Sequence, residues 1–284
     1  MVLLIAGMTS VSAIAGDRPL SVIYPQPDPG DARYRHGLAV LRLALEKSGV
    51  AFTLRPSALV LADNQNRFLA MMEKGDGDVT VAIAATSTER EQRLRAIHIP
   101  IDKGLIGWRL ALVPADRPDT LAGIRSIVDL RHLVAGQGLG WTDTAVLKAN
   151  GLPTATGGYY GTLFKMLAIH RFDYFPRSAR EIWAELKAHS DNQIALDSHL
   201  ALHYVGATYF FVNKANDALA EALETGLERA IADGSFDQIF DQEIGRFLAD
   251  AHFDQRLVIE LNNPFMSAET PLNRKELWFR PGRK

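Results

Sequence analysis

The sequence predicts an α/β protein of two lobes, the second carried as an insertion in the first. Strand-like and helix-like segments alternate along the chain, the pattern of sheets covered by helices. Two apolar strand-like stretches, 108–113 and 208–212, flank a central block at 114–204 that has strands and helices of its own. The length of 284 residues suits one or two domains.

Each element has a local cause. Residues 20–24 read as a strand, broken by Pro25 and Pro27. In 34–48, Leu38, Leu41 and Leu45 fall on one helical face and Gly49 stops the helix. Residues 51–54 form a second strand, and Asn64 suits the N-cap of a helix running to Lys74. Residues 79–84 are almost wholly apolar, which predicts a strand covered on both faces. After a turn at 114–118 come a short strand at 133–135 and a helix capped by Thr142 and ended by Gly151. A strand at 173–175 follows, then a helix to His189 opened by a Ser178–Glu181 capping box. The strand at 208–212 leads into a helix at 217–233 with Leu219, Leu223 and Leu227 on one face. One lobe is expected to take 17–110 and 205–284 and the other 111–204. The two flanking strands then form a hinge, with the ligand cleft between lobes.

Composition narrows the function. A net charge of -2 with scattered Lys and Arg points away from nucleic acid and membrane surfaces. The absence of cysteine excludes disulfides, thiolate metal sites and cysteine nucleophiles. The apolar run 2–14 ending in Ala13-Ile14-Ala15 has the form of a signal-peptide core and cleavage site. It is shorter than the roughly 20 residues a membrane span needs. No Lys or Arg precedes it, so the true start is expected upstream and 1–15 is set aside as a signal-peptide remnant. The alternative is a buried N-terminal strand. A soluble, periplasmic monomer is expected.

Four stretches occur in a telling order: Gly75-Asp76-Gly77-Asp78-Val79; Ser87-Thr88-Glu89-Arg90; Val128-Asp129-Leu130 with the Gly/Thr-rich loop 136–142; and Ala232-Asp233-Gly234-Ser235-Phe236. Over about residues 18–250 the chain resembles the type II periplasmic solute-binding proteins, specifically the polar amino-acid-binding, family 3-like group. The resemblance implies a two-lobe α/β fold with a double-strand hinge and a central cleft.

It also implies a site. Arg90 is expected to grip a ligand carboxylate, since its planar guanidinium makes two parallel charge-assisted bonds; otherwise it is a helix-surface arginine paired with Glu91 or another acid. Ala85, Thr86 and the helix start at Ser87 and Thr88 suit an anion, or serve only as a cap. In the glycine-rich loop, Gly140 lets backbone approach a ligand and Thr142 donates, while Trp141 is either a stacking wall or packing. The glycine spacing is not a dinucleotide fingerprint, and no cofactor is expected. Tyr24 is expected as an aromatic wall. Tyr34, with Arg33 and Arg35, is placed at the cleft mouth; otherwise Tyr34 packs in the core and the arginines form a solvated helix start. Where the family places an ammonium-binding aspartate, this chain has Pro176-Arg177-Ser178. Arg90 and Arg177 then set two cations across the cleft, which implies a small acid as ligand. If Arg177 instead turns to solvent, Glu181 or Asp143 receives an ammonium group. A helix would align His199 and His203 for a metal, but a third ligand is missing and no metal is expected.

The function so implied is extracytoplasmic binding of a small polar, anionic solute by hinge closure, with an ABC permease or a membrane sensor as partner. A dehydratase-like enzyme on the same fold and a non-transport accessory protein are the alternatives. Catalysis needs a positioned acid or base, and Asp143 and Glu181, the cleft candidates, form no evident pair. The tail 251–284 lies beyond the resemblance and reads as an extended strap.

Overall fold

In the computed structural model, which describes residues 18–27, 34–60 and 65–282, the apolar stretches become strands buried on both faces. The signal-peptide segment 1–15, Arg33 and Asn64 lie outside the described residues. Among the described residues no helix is long and apolar enough to cross a membrane.

The first lobe opens with β1 (Leu20–Gln26), α1 (Arg35–Ser48), β2 (Phe52–Val60), α2 (Gln65–Lys74), β3 (Val81–Ala85), α3 (Thr88–Arg93) and β4 (Arg95–Ile97). The chain then enters the second lobe through β5 (Trp108–Pro114). There it forms α4 (Ile127–Leu130), β6 (Ala135–Gly138), α5 (Thr142–Ala149), β7 (Thr154–Gly157), α6 (Tyr160–Ala168), β8 (Phe175–Ser178), α7 (Ile182–Ala188) and β9 (Ile194–His203). It returns through β10 (Thr208–Val212) and continues as α8 (Asp217–Ala232), α9 (Ser235–Phe240), α10 (Arg246–Asp250) and β11 (Leu257–Glu260).

Strand periodicity sorts the cores. Val81, Ile83, Phe210 and Val212 face a cluster under α1 and α8. Ala82, Ala84, Tyr209 and Phe211, one residue out of phase, face a second cluster under α2. In the second lobe, Leu110 and Leu112 pack with α6, while Ala111 and Val113 pack with α5. The first lobe's sheet runs β3-β10-β4 beside the parallel pair β1-β2. Thr80 joins the two through its amide to the Ile23 carbonyl and the Ile23 amide to its hydroxyl, both 2.8 Å. The second lobe's sheet runs β11-β9-β5-β8, and a bridge between Ala135 and Tyr174 adds β6 and β7.

Helix α8 crosses α1 with almost no gap. A methyl group on Gly226 would stand 1.8 Å from the Ala44 carbonyl oxygen, so only glycine lets the backbones meet.

Two connectors form the hinge. The Tyr204 amide donates to the Gly107 carbonyl (3.2 Å), and a methyl group on Gly107 would stand 1.9 Å from the Tyr204 oxygen. Asp102, fully buried, accepts from the Thr208 hydroxyl (2.8 Å) and the Gly104 amide (3.2 Å). His36 Nε2 on α1 donates to the Ile101 carbonyl at 2.7 Å.

Several expectations change. Residues 194–203 are strand, not helix, so His199 and His203 are not aligned by a helical turn. His199 Nε2 lies 2.8 Å from the Ile124 carbonyl, and His203 contacts Glu260 and stacks on Trp108. Trp141, not Thr142, is the N-cap of α5. No Ser178–Glu181 box opens α7: the Ser178 hydroxyl donates to the Leu105 carbonyl at 3.0 Å, and the Glu181 carboxylate turns to Arg177. The tail does not stay on the first lobe. Phe240, Ile244, Ala251 and Phe253 pack in the second lobe's core, and β11 extends its sheet beside β9. After Leu261 and Asn262, which still contact the second lobe, the chain returns to the first, where the Phe265 carbonyl accepts from the Thr88 amide at 2.9 Å and Trp278 packs on the core.

Two measurements check this account. Gly226→Ala should cost about 1–3 kcal/mol in chemical denaturation as two helices are forced apart. Gly123→Ala, with nothing within 4 Å, should stay within about 0.5 kcal/mol. For His36, burial pushes the pKa down to about 4, against the pull of the Ile101 carbonyl and with help from Arg180 and Arg35. The unfolded chain therefore binds the proton first. This contribution is complete above about pH 6.5 and is lost as pH falls toward 4. Between pH 7 and about pH 4.5, His36→Gln should lose less stability than the parent, by about 2–3 kcal/mol.

Candidate functional site

The first lobe contributes the end of β3 and the start of α3. Ser87 is the N-cap of α3, its hydroxyl accepting from the Arg90 amide at 3.3 Å. That cap aims Arg90 back along the strand, where Nη1 donates to the Ala85 carbonyl at 2.5 Å. Arg90 is 9 % exposed and forms no ion pair among the described residues. Burial, only partly opposed by Glu89, lowers its pKa to about 10. Thr86 is buried and its hydroxyl donates to Glu91 at 2.5 Å, so the hydroxyl expected for an anion is already used. Burial alone would raise the Glu91 carboxyl, but hydrogen bonds from His98, Thr86 and Ser267 hold it below the usual carboxylate range. The Arg90–Glu91 pair considered from sequence does not form.

The second lobe contributes the loop from β6 to α5. Gly140 takes φ of 77°, a left-handed turn that glycine adopts without strain, and swings the Trp141 ring back over Gly138. Trp141 is half-buried and lies stacked 6.5 Å from Phe175, with the Arg177 guanidinium 4.9 Å from its ring centre. It is packing on one side and cleft wall on the other. Thr142, half-buried in the first turn of α5, also lines the cleft. Beside it, Asp143 is held by Arg109 and by the Tyr204 hydroxyl.

Three expected residues take other roles. Arg177 is 2 % exposed and clamped by Glu185 (2.5 and 2.8 Å) and Glu181 (2.9 Å). Burial would lower its pKa, but these two carboxylates more than offset that and raise it. Arg177 lines the smaller chamber but is a neutralised strut behind Trp141, so it sets no free cation opposite Arg90. Ser178 is fully buried at the hinge. Tyr24 shares the period-two face of Leu20 and Val22 and packs on the first lobe's core instead of lining the cleft. Tyr34 does line it.

The cleft between the lobes holds two chambers. The larger, about 910 Å3, is bounded by Ala85, Thr86, Arg90, Gly140, Trp141 and Thr142 together with Asn263, Pro264 and Phe265 of the tail. The smaller, about 160 Å3, lies toward Tyr34, Arg109, Tyr160 and Glu181. Ala85, Ile106, Leu139, Trp141, Thr142 and Asp143 belong to both. Sequence reasoning missed the Arg109–Asp143–Tyr204 group and the tail's part in the wall. Residues far apart in sequence meet there with no local pattern to announce it.

Such a pair of α/β lobes around a cleft is the fold of the periplasmic amino-acid-binding proteins. Among solved structures, an ancestral arginine-binding protein bound to arginine superposes with a TM-score of 0.58 at 18% identity, covering 80% of this chain and 98% of that one. A histidine kinase sensor domain with similarity to periplasmic binding proteins gives 0.58 at 14% identity, covering 80% and 96%. The ligand-binding core of GluR0 from Nostoc punctiforme, in complex with L-glutamate, gives 0.54 at 16% identity, covering 79% and 99%. No protein-family model and no curated protein sequence matches the chain.

The buried strut can be tested directly. Glu185→Ala leaves Arg177 buried with half its compensation and should cost about 3–5 kcal/mol in urea unfolding. The double variant Arg177→Met/Glu185→Leu should recover most of that loss.

Proposed function

We propose that this chain is an exported binding protein that holds a small carboxylate-bearing solute between its lobes. One observation carries the reading. Arg90 is a cation nine-tenths buried in a cleft wall, bonded to one backbone carbonyl and paired with no described acid. A buried charge without a partner is costly, and a ligand carboxylate is the partner its planar fork fits best. One cation calls for one carboxylate. With Arg177 neutralised, a net acid is not required, and a zwitterion fits as well as an anion. Arginine, glutamine and glutamate, the ligands in structures of this fold, all carry the α-carboxylate that this reading needs.

Binding is favoured over catalysis by the state of the two buried cleft acids. Asp143 is engaged by Arg109 and Tyr204, and Glu181 by Arg177 and Arg180. Neither stands ready to move a proton. Contacts drawn from both lobes give a ligand the differential affinity that closes a hinge. Delivery of the bound solute to an ABC permease, or its reporting to a membrane sensor, uses the same chemistry.

The test has two stages. Native mass spectrometry of the purified protein identifies the co-purified solute, which should contain a carboxylate. Calorimetry with that solute should then show Arg90→Ala losing at least about tenfold in affinity, or 1.4 kcal/mol, with an unchanged thermal transition. Arg90→Lys should fall between, because an ammonium keeps the charge but not the fork. Affinity within about threefold of the parent in Arg90→Ala, well under that tenfold, would remove Arg90 from the site.

A further inference from the structure

The chamber beside Arg90 has far more apolar wall than one carboxylate clamp explains. Leu139 is 71 % exposed and Phe265 is 39 % exposed, and both line it. Leu139 stands on the turn made by Gly140, at the lip of the second lobe. Phe265 arrives on the C-terminal strap, where its backbone carbonyl accepts from the Thr88 amide (2.9 Å) and the Thr88 hydroxyl (3.1 Å). Leu69, Leu94, Ile106 and Pro264 complete this wall.

Large apolar side chains left open to water inside a concave site gain most when apolar ligand surface covers them. Cationic charge is sparse by comparison. Of the lining cations, Arg93 is paired with Glu73 and Lys148 is exposed, so Arg90 is the buried one. A volume of about 910 Å3 stands near the top of the roughly 300–1,000 Å3 typical of small-molecule sites.

Resting on the reading of this cleft as a carboxylate site, we propose that its occupant is an amphiphilic carboxylate, one acid group on an aryl or branched-alkyl body, and that Phe265 selects it. Arg90 takes the acid at the α3 end of the chamber, and the strap supplies the surface against which the apolar body packs. The selecting residue therefore comes from the segment after β11, outside the two lobes' own loops. Because the strap is fastened to Thr88 through the backbone of residue 265, changing the side chain there alters the wall without releasing the strap.

Calorimetry on ligand-free protein with three probes tests this: 3-phenylpropanoate, propanoate and 3-phenylpropan-1-ol. Phenylpropanoate should bind at least about tenfold more tightly than either of the others, one lacking the apolar body and the other the acid. Phe265→Ala should weaken phenylpropanoate about fivefold or more, given the apolar area removed, and leave propanoate unchanged. Phe265→Leu should fall between, and it preserves the test if the alanine variant loosens the strap. Equal affinity for the two acids, no binding of phenylpropanoate at millimolar concentration, or an equal loss for both acids in Phe265→Ala overturns the amphiphile proposal. If Arg90→Ala instead leaves the binding of both acids unchanged, the carboxylate reading itself fails, whatever Phe265 does.

Discussion

Backbone laid against backbone at the hinge governs the rest of this molecule. Gly107 and Tyr204 approach so closely that no side chain fits between the two connectors. Trp108 pairs with His203 as the chain leaves for the second lobe and comes back. Only a few residues later, Thr208 pairs with Ala85 and the Ala207 carbonyl accepts from the Thr86 amide. The returning strand therefore decides where β3 ends, and with it where the carbonyl that orients Arg90 stands. Cleft geometry and hinge geometry are one constraint.

Charge is distributed around that hinge with a consistent logic. Arg177 and Glu185 neutralise each other, and Asp143 is answered by Arg109 and Tyr204. These pairs set the charges of the second lobe's wall against one another. Removing water from an ion is expensive unless a partner repays it, so an arginine left without one is conspicuous. Arg90 is buried and without an ion pair among the described residues, and its lowered pKa has the same origin in burial.

The strap changes what the fold can do. A two-connector hinge leaves the lobes tied only at one place. Here β11 adds to the second lobe's sheet, and the following residues cross back to Thr88, Gly104 and Lys103 of the first. The chain passes between lobes again on the side where the larger chamber lies, and Asn263, Pro264 and Phe265 become part of the wall.

The architecture was legible in the sequence because it rests on local regularities. Near-continuous apolar runs at 79–84 and 208–212 are enough to demand burial on both faces, and Leu41 and Leu45 demand a partner for α1. Arg90 was singled out by the resemblance of Ser87-Thr88-Glu89-Arg90 to a family turn, and its position is fixed locally because its cap, Ser87, lies three residues away. What failed was whatever depended on meeting a distant residue. Tyr24 follows its strand's face into the core, since alternation leaves it no other side. The Ser178–Glu181 spacing fits a capping box, but the Leu105 carbonyl and Arg177 bind those side chains more favourably. The four-residue spacing of His199 and His203 would align them only on a helix, and pairing of 194–203 with β5 and β11 makes that segment strand. The sequence by itself determined the layers and the two-lobe α/β class, but not which lobe takes the residues after α9. Only the tertiary structure decided which charges stay free, because a charge is neutralised by whatever the fold brings within a few ångströms, and sequence distance carries no record of that.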